Sequence, residues 1–194
     1  MMDGLASNEG ATLEGGFDTA PIQAAHAFRA AMECMARPGR IDEVEGGQVP
    51  APLSVAASVL LLTLCDSETP VFLGKGLDIP QVRGWVTFHT GAPLVGADQA
   101  MFGFGCWQDL LPLDRFALGT QEYPDRSATL IVELGDLSPE GAVLTGPGIK
   151  DQAMLSLPDL EVLQNNARQF PLGLDFFFTS GTRLAALPRS TQVR

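Results

Sequence analysis

Between Asp18 and Gly39 apolar residues return at helical spacing. Ile22, Ala25, Phe28, Met32 and Met35 share one face, while Arg29, Glu33 and Arg37 lie together off it. Asp18 and Thr19 offer caps, Pro21 suits a first turn, and Pro38-Gly39 ends the helix. A second helix opens at Pro52 and Ser54 and runs to about Leu64. It is apolar nearly all round, the pattern of a buried helix. A third is expected from an Asp78 cap through Pro80, Val82, Trp85, Val86 and Phe88, closing at His89-Thr90-Gly91. A fourth spans Pro158 to Gln169, with Leu160, Leu163 and Ala167 inward.

Short apolar runs between these helices predict strands. They are Pro70–Leu73, Ala100–Phe104, Ser127–Leu134, Ala142–Thr145, Leu174–Thr179 and Leu184–Leu187, with Trp107–Phe116 partly helical. Strands and helices interleave, so the fold class is α/β, a mixed sheet flanked by helices. No repeat or linker divides the chain. Residues 1–16 carry Asp3, Glu9 and Glu14 and no base, and read as a flexible acidic tail. Residues 17–194 read as a single α/β domain.

Composition sharpens this picture. A chain of 194 residues is long enough for a substantial core. Its 45% hydrophobic content and mean hydropathy of +0.14 exceed what such a core needs, which hints at apolar surface kept for a partner. A net charge of −11 excludes a whole-chain nucleic-acid binder. It also disfavours an anionic ligand unless positive charge is focused locally or supplied by a partner. Such focusing has two sources: Arg29, Arg37 and Arg40 early, and Arg183, Arg189 and Arg194 late. Three cysteines at long spacings suggest free thiols in a reducing cytoplasm. No leader is read at the start, and Val55–Leu64 is far short of a membrane span, so a cytoplasmic protein is expected.

Candidate chemistry is sparse. Gly141 and Gly146 have P-loop spacing, but Pro147-Gly148 stands where Lys and a hydroxyl are required. Gly146 and Gly148 therefore read as a turn after a strand, or as a place where backbone approaches a ligand. His89 can act as acid or base, or can interact with the last carbonyls of its helix. Asp66 and Glu68 can serve a site at the end of the second helix, or can be a solvated turn before Pro70. Two histidines far apart give no metal set, and neither Lys75 nor Lys150 is accompanied by a cofactor-phosphate cradle. Neither metal nor cofactor is expected. Arg37 and Arg189 each adjoin a proline, which fixes the backbone and aims a guanidinium at a phosphate, a carboxylate or an acid of this chain.

Several segments together carry a family resemblance: Gly16-Phe17, Phe28-Arg29 through Ala36-Arg37-Pro38-Gly39, Leu64 through Asp66, Glu68 and Thr69, Phe88-His89-Thr90-Gly91, and Tyr123-Pro124 through Ser127-Ala128-Thr129. Gly146-Pro147-Gly148-Ile149, Asn166 through Phe170-Pro171, Gly173 and Asp175, and Leu187-Pro188-Arg189-Ser190-Thr191 complete the set. In these the chain resembles the H subunit of the bacterial carbon–phosphorus lyase system. It departs in its acidic tail and in Ser190, where the family commonly has threonine. The resemblance implies a fold similar to pyridoxal-phosphate-dependent transferases without that cofactor, in a complex with G, I and J subunits. It further implies that the G, H, I and L proteins together form a ribose 1-alkylphosphonate 5-triphosphate from ATP and alkylphosphonate, releasing adenine. The J subunit then cleaves the carbon–phosphorus bond by radical iron–sulfur chemistry. The family brings no catalytic residue for this subunit. Three roles stay open: a structural and assembly subunit; a contributor of Arg37, Arg189, His89 and the Gly146–Ile149 turn to a phosphonate or nucleotide pocket at a subunit interface; and a free-standing homodimer with its own small-molecule activity.

Overall fold

The computed structural model describes residues 15–46 and 49–194, so the tail expected at 1–16 lies outside the described residues up to position 14. In chain order the elements are α1 (Ala20–Ala36), β1 (Ile41–Glu43), α2 (Val55–Leu64), β2 (Val71–Leu73), α3 (Pro80–Thr90), β3 (Phe102–Cys106) and α4 (Trp107–Leu110). They continue with β4 (Thr129–Glu133), β5 (Ala142–Thr145), β6 (Ala153–Leu155), α5 (Leu160–Ala167), β7 (Asp175–Ser180), β8 (Arg183–Leu187) and β9 (Gln192–Val193).

Strands alternate apolar residues to both faces, so the sheet they form must be covered twice. On β7, Phe177 points to one core while Phe176 and Phe178 point to the other. On β4, Ile131 joins Phe177, and Leu130 and Val132 join the opposite side. The six strands lie in the order β1-β8-β7-β4-β3-β2. The last four run parallel, β8 is antiparallel to β7, and β1 is antiparallel to β8. This is the mixed sheet that the sequence implies. Helices α1, α2 and α3 build the core on one face. On the other lie α4, α5 and a separate antiparallel sheet, β6-β5-β9.

Local chemistry sets the helix ends. The Ser54 hydroxyl accepts the Ala57 N–H at 3.1 Å and so caps α2. Gly91, with φ +69°, closes α3 in the left-handed conformation and donates its N–H to the Thr87 carbonyl.

The structure departs from the sequence pattern in several places. The apolar face of α1 is not the buried one. Ala27, Ala31 and Cys34 face the core, while Ile22, Phe28 and Met32 are more than half exposed and Met35 is half-buried. The reason is close approach: Cys34 Sγ comes within 3.5 Å of the Leu184 carbonyl on β8, a spacing that small side chains permit and Phe or Met would not. Asp78 does not cap α3. The cap position is Ile79, and Asp78 pairs with Arg83. Leu163 and Ala167 are buried in α5, but Leu160 in its first turn is exposed at the rim of an open recess with Ser138, Ser156 and Arg194. Strands β1, β6 and β9 have no counterpart among the predicted strands.

Candidate functional site

Three of the sequence motifs meet at the end of α1. A Cβ at Gly148 would stand 1.9 Å from the Ala36 carbonyl oxygen, so only glycine lets the Gly146-Pro147-Gly148 turn rest on the helix end. The other side of this turn approaches Ser190 and Thr191, whose backbone lies 3.2–3.5 Å from a Cβ placed at Gly146. The turn is thus wedged between Ala36-Arg37-Pro38 and Ser190-Thr191. Both glycines have positive φ.

Arg189 turns inward from this junction. Its Nε donates to Asp175 Oδ1 at 3.1 Å and Oδ2 at 3.2 Å, its second terminal nitrogen also pairs with Asp175, and Nη1 donates to the Pro124 carbonyl at 2.6 Å. The Arg189 backbone N–H adds a bond to Asp175 Oδ1 at 2.8 Å. The two side chains are only 14% and 22% exposed. One ion pair therefore fastens three chain segments, Pro124, Asp175 and Pro188-Arg189. Beside it lies an open recess of about 410 Å³, with Phe170, Pro171 and Pro188 on its walls. With its guanidinium committed to Asp175 and a carbonyl, Arg189 presents little positive charge to that recess. Arg37 faces outward and pairs with Glu33 at 3.0 Å, the carboxylate that Arg40 also approaches at 3.6 Å.

The remaining candidates gather elsewhere, at the ends of α2 and α3. His89, in the last turn of α3, is half-buried. Its ring packs against Trp85 and Phe88, and its Nδ1 lies 2.8 Å from where a Cβ on Gly16 would stand. Asp66 and Glu68 form a solvent-exposed turn in which Asp66 Oδ1 accepts the Glu68 N–H at 2.9 Å. The neighbouring Ser67 faces Gly91. The seven candidates thus fall into two groups: Arg37, Gly146, Gly148 and Arg189 at one junction, and His89, Asp66 and Glu68 at the other.

A residue not singled out from sequence holds the place where α/β sheets usually bind ligands. Strands β2, β3, β4 and β7 are parallel, so their carboxyl ends share an edge. Glu133 ends β4 there. Its Oε1 accepts the Ser54 N–H at 2.7 Å and its Oε2 accepts the Thr179 hydroxyl at 2.9 Å. Burial pushes its pKa up, opposed by the Ser54 and Thr179 hydrogen bonds. At the β2 end, Asp109 Oδ2 accepts the Gly76 N–H at 2.7 Å. Two acids thus fasten this edge, and Arg115 donates to the Asp109 carbonyl beside them. An acid closing the clearest apolar strand is the sequence signal that could have found Glu133.

Among the described residues no cluster of three or more His, Cys, Asp or Glu is arranged to hold a metal ion, and no helix is long and apolar enough to cross a membrane. The three cysteines are free. Burial raises Cys34 and Cys65 to about 12, so their nucleophilic thiolate forms are suppressed.

Comparison with known proteins bears on this geometry. Residues 15–194 match the family described as bacterial phosphonate metabolism protein (PhnH). The chain is 39% identical, over 188 residues covering 92% of it and 94% of the relative, to the alpha-D-ribose 1-methylphosphonate 5-triphosphate synthase subunit PhnH of Rhizobium meliloti (strain 1021). It is 28% identical, over 174 residues covering 86% of it and 84% of the relative, to a putative C-P lyase subunit protein HtxG of Stutzerimonas stutzeri.

Proposed function

The chain belongs to the PhnH family of bacterial phosphonate metabolism proteins, and from that premise we propose that it is a subunit of the carbon–phosphorus lyase assembly. In this reading it is required, with the G, I and L proteins, to form ribose 1-alkylphosphonate 5-triphosphate from ATP and alkylphosphonate. Its role there is structural: it assembles with G, I and J subunits in the cytoplasm and pairs with itself when isolated. The kinship to the pyridoxal-phosphate-dependent transferase fold, without that cofactor, belongs to the same reading.

The observation that carries the structural role is the commitment of Arg189. The best-placed phosphate ligand in the sequence instead fastens Asp175 and the Pro124 carbonyl. The net charge of −11 supports the same conclusion, because basic partners both complement this chain and are better matched to a triphosphate. The test is Arg189→Ala and Arg37→Ala in the co-expressed complex. Loss of assembly along with activity supports the structural role; a full-size complex with activity reduced by orders of magnitude overturns it. A second reading rests on Arg37, whose side chain is 60% exposed beside the Gly146–Gly148 turn, and gives that guanidinium to a phosphonate or nucleotide at a subunit interface.

A further inference from the structure

The outward face of α1 has no covering in the described structure and is not an ordinary solvent face. Ile22 is 61% exposed, Phe28 51% and Met32 52%, with Ala25 and Ala36 also exposed between them. At 3.6 residues per turn these positions fall within roughly 120° of the helix circumference, so they form one stripe. Singly exposed apolar residues need no explanation, but a stripe of them on one helix does.

Arg29, set off the apolar face in the sequence pattern, falls by the same count between Ile22 and Ala25 at the edge of this stripe, and its surroundings point to the partner's chemistry. Among the described residues the other arginines hold an acid, another oxygen or a ring, save Arg194 at the chain end. Arg189 grips Asp175, Arg83 pairs with Asp78, and Arg126 lies over Tyr123. Among the described residues no hydrogen bond, ion pair or ring contact engages Arg29. The stripe itself holds no carboxylate; Glu33, just beyond its edge, is paired with Arg37 and approached by Arg40, which also holds Asp42. The face is therefore apolar with a net positive margin on a protein of net charge −11.

We propose that the outer face of α1 is the docking surface for an amphipathic helix of a partner subunit, one whose apolar stripe packs on Phe28 and Met32 and whose carboxylate meets Arg29. Burying the stripe supplies the hydrophobic contact, and the pairing at Arg29 supplies register and selects an acidic partner. A second copy of this chain fits less well. A two-fold axis would bring together two stripes that each carry Arg29 and no carboxylate, so neither guanidinium would gain an acid from the other stripe. This inference rests on the subunit reading above and adds the surface and the chemistry of what covers it.

The test uses full chains. Phe28→Asp and Arg29→Glu are each co-expressed with the G, I and J subunits and captured through a tag on this chain, with Leu160→Asp as an exposed apolar control elsewhere. Both variants should keep the wild-type thermal midpoint to within about 2 °C, because the sites are exposed. Each should lower partner capture by at least about tenfold, while Leu160→Asp captures normally. A photocrosslinker at Ala25 should join a partner peptide with helical apolar spacing and an Asp or Glu in register. Normal capture by both variants, or a crosslink to a second copy or to a basic segment, overturns the inference and leaves the subunit reading standing. Failure of the wild-type chain to capture any of these subunits defeats the subunit reading, and this surface with it.

Discussion

Asp175→Asn separates a structural Arg189 from a ligand-binding one. The substitution keeps the side chain's shape and removes the charge that three hydrogen bonds from the Arg189 side chain satisfy. Breaking one partner out of a fully buried pair costs about 3–5 kcal/mol, chiefly because the other charge is left uncompensated. Here the pair retains 14% and 22% exposure, so water relieves part of that cost and about 2–3 kcal/mol is expected. For a domain of this size each kcal/mol moves the thermal midpoint by about 2–4 °C, so the drop should be about 4–12 °C. The assay is thermal and urea unfolding followed by far-UV circular dichroism, with Arg189→Ala and the double variant completing a cycle. The coupling energy should be at least about 1 kcal/mol. A midpoint within about 2 °C of wild type, with additive single effects, would refute the structural role. It would point to a guanidinium held ready for an anion.

Further expectations follow from other contacts. Gly148→Ala should cost at least about 2 kcal/mol, because its Cβ would collide with the Ala36 carbonyl at a positive φ. Gly181→Ala, at φ +60° with nothing within 4 Å, should cost only about 1 kcal/mol in the same urea titration. Glu133 is held above the ordinary carboxylate range by burial, so the folded chain binds its proton more tightly than the unfolded chain does. Its contribution to stability is fully present below the unfolded pKa and is lost as pH rises through the folded one. Glu133→Gln should therefore gain on wild type in thermal midpoint as pH rises through that window, and a constant difference across pH would contradict the burial argument. Cys34 and Cys65, both raised to about 12, should resist alkylation in the folded protein at pH 8, leaving the half-buried Cys106 to take the first adduct by mass spectrometry.

What could be read in the sequence were features that a few neighbouring residues decide. Helix α2 is apolar all round and carries its cap in Ser54, and β5 is bounded by turn glycines, so both were legible. Helix α1 was found, but its buried face was not. Periodicity weighs hydrophobic size, whereas the approach of α1 to β8 selects the small residues Ala27, Ala31 and Cys34. Strands β1, β6 and β9 are two or three residues long and exist through their pairing with β8 and β5, which no local run announces. The site divides the same way. Proline-flanked arginines and a glycine turn are visible as motifs. That Arg189 meets Asp175, 14 positions earlier, and that Glu133 joins Ser54 to Thr179 are products of tertiary placement.

Native mass spectrometry of this chain co-expressed with G, I and J subunits, captured through a tag on this chain, tests the central claim most directly. A stoichiometric complex containing this chain and its partners is the predicted result. A lone monomer or homodimer, with folded partners left in the flow-through, would contradict a role in that assembly.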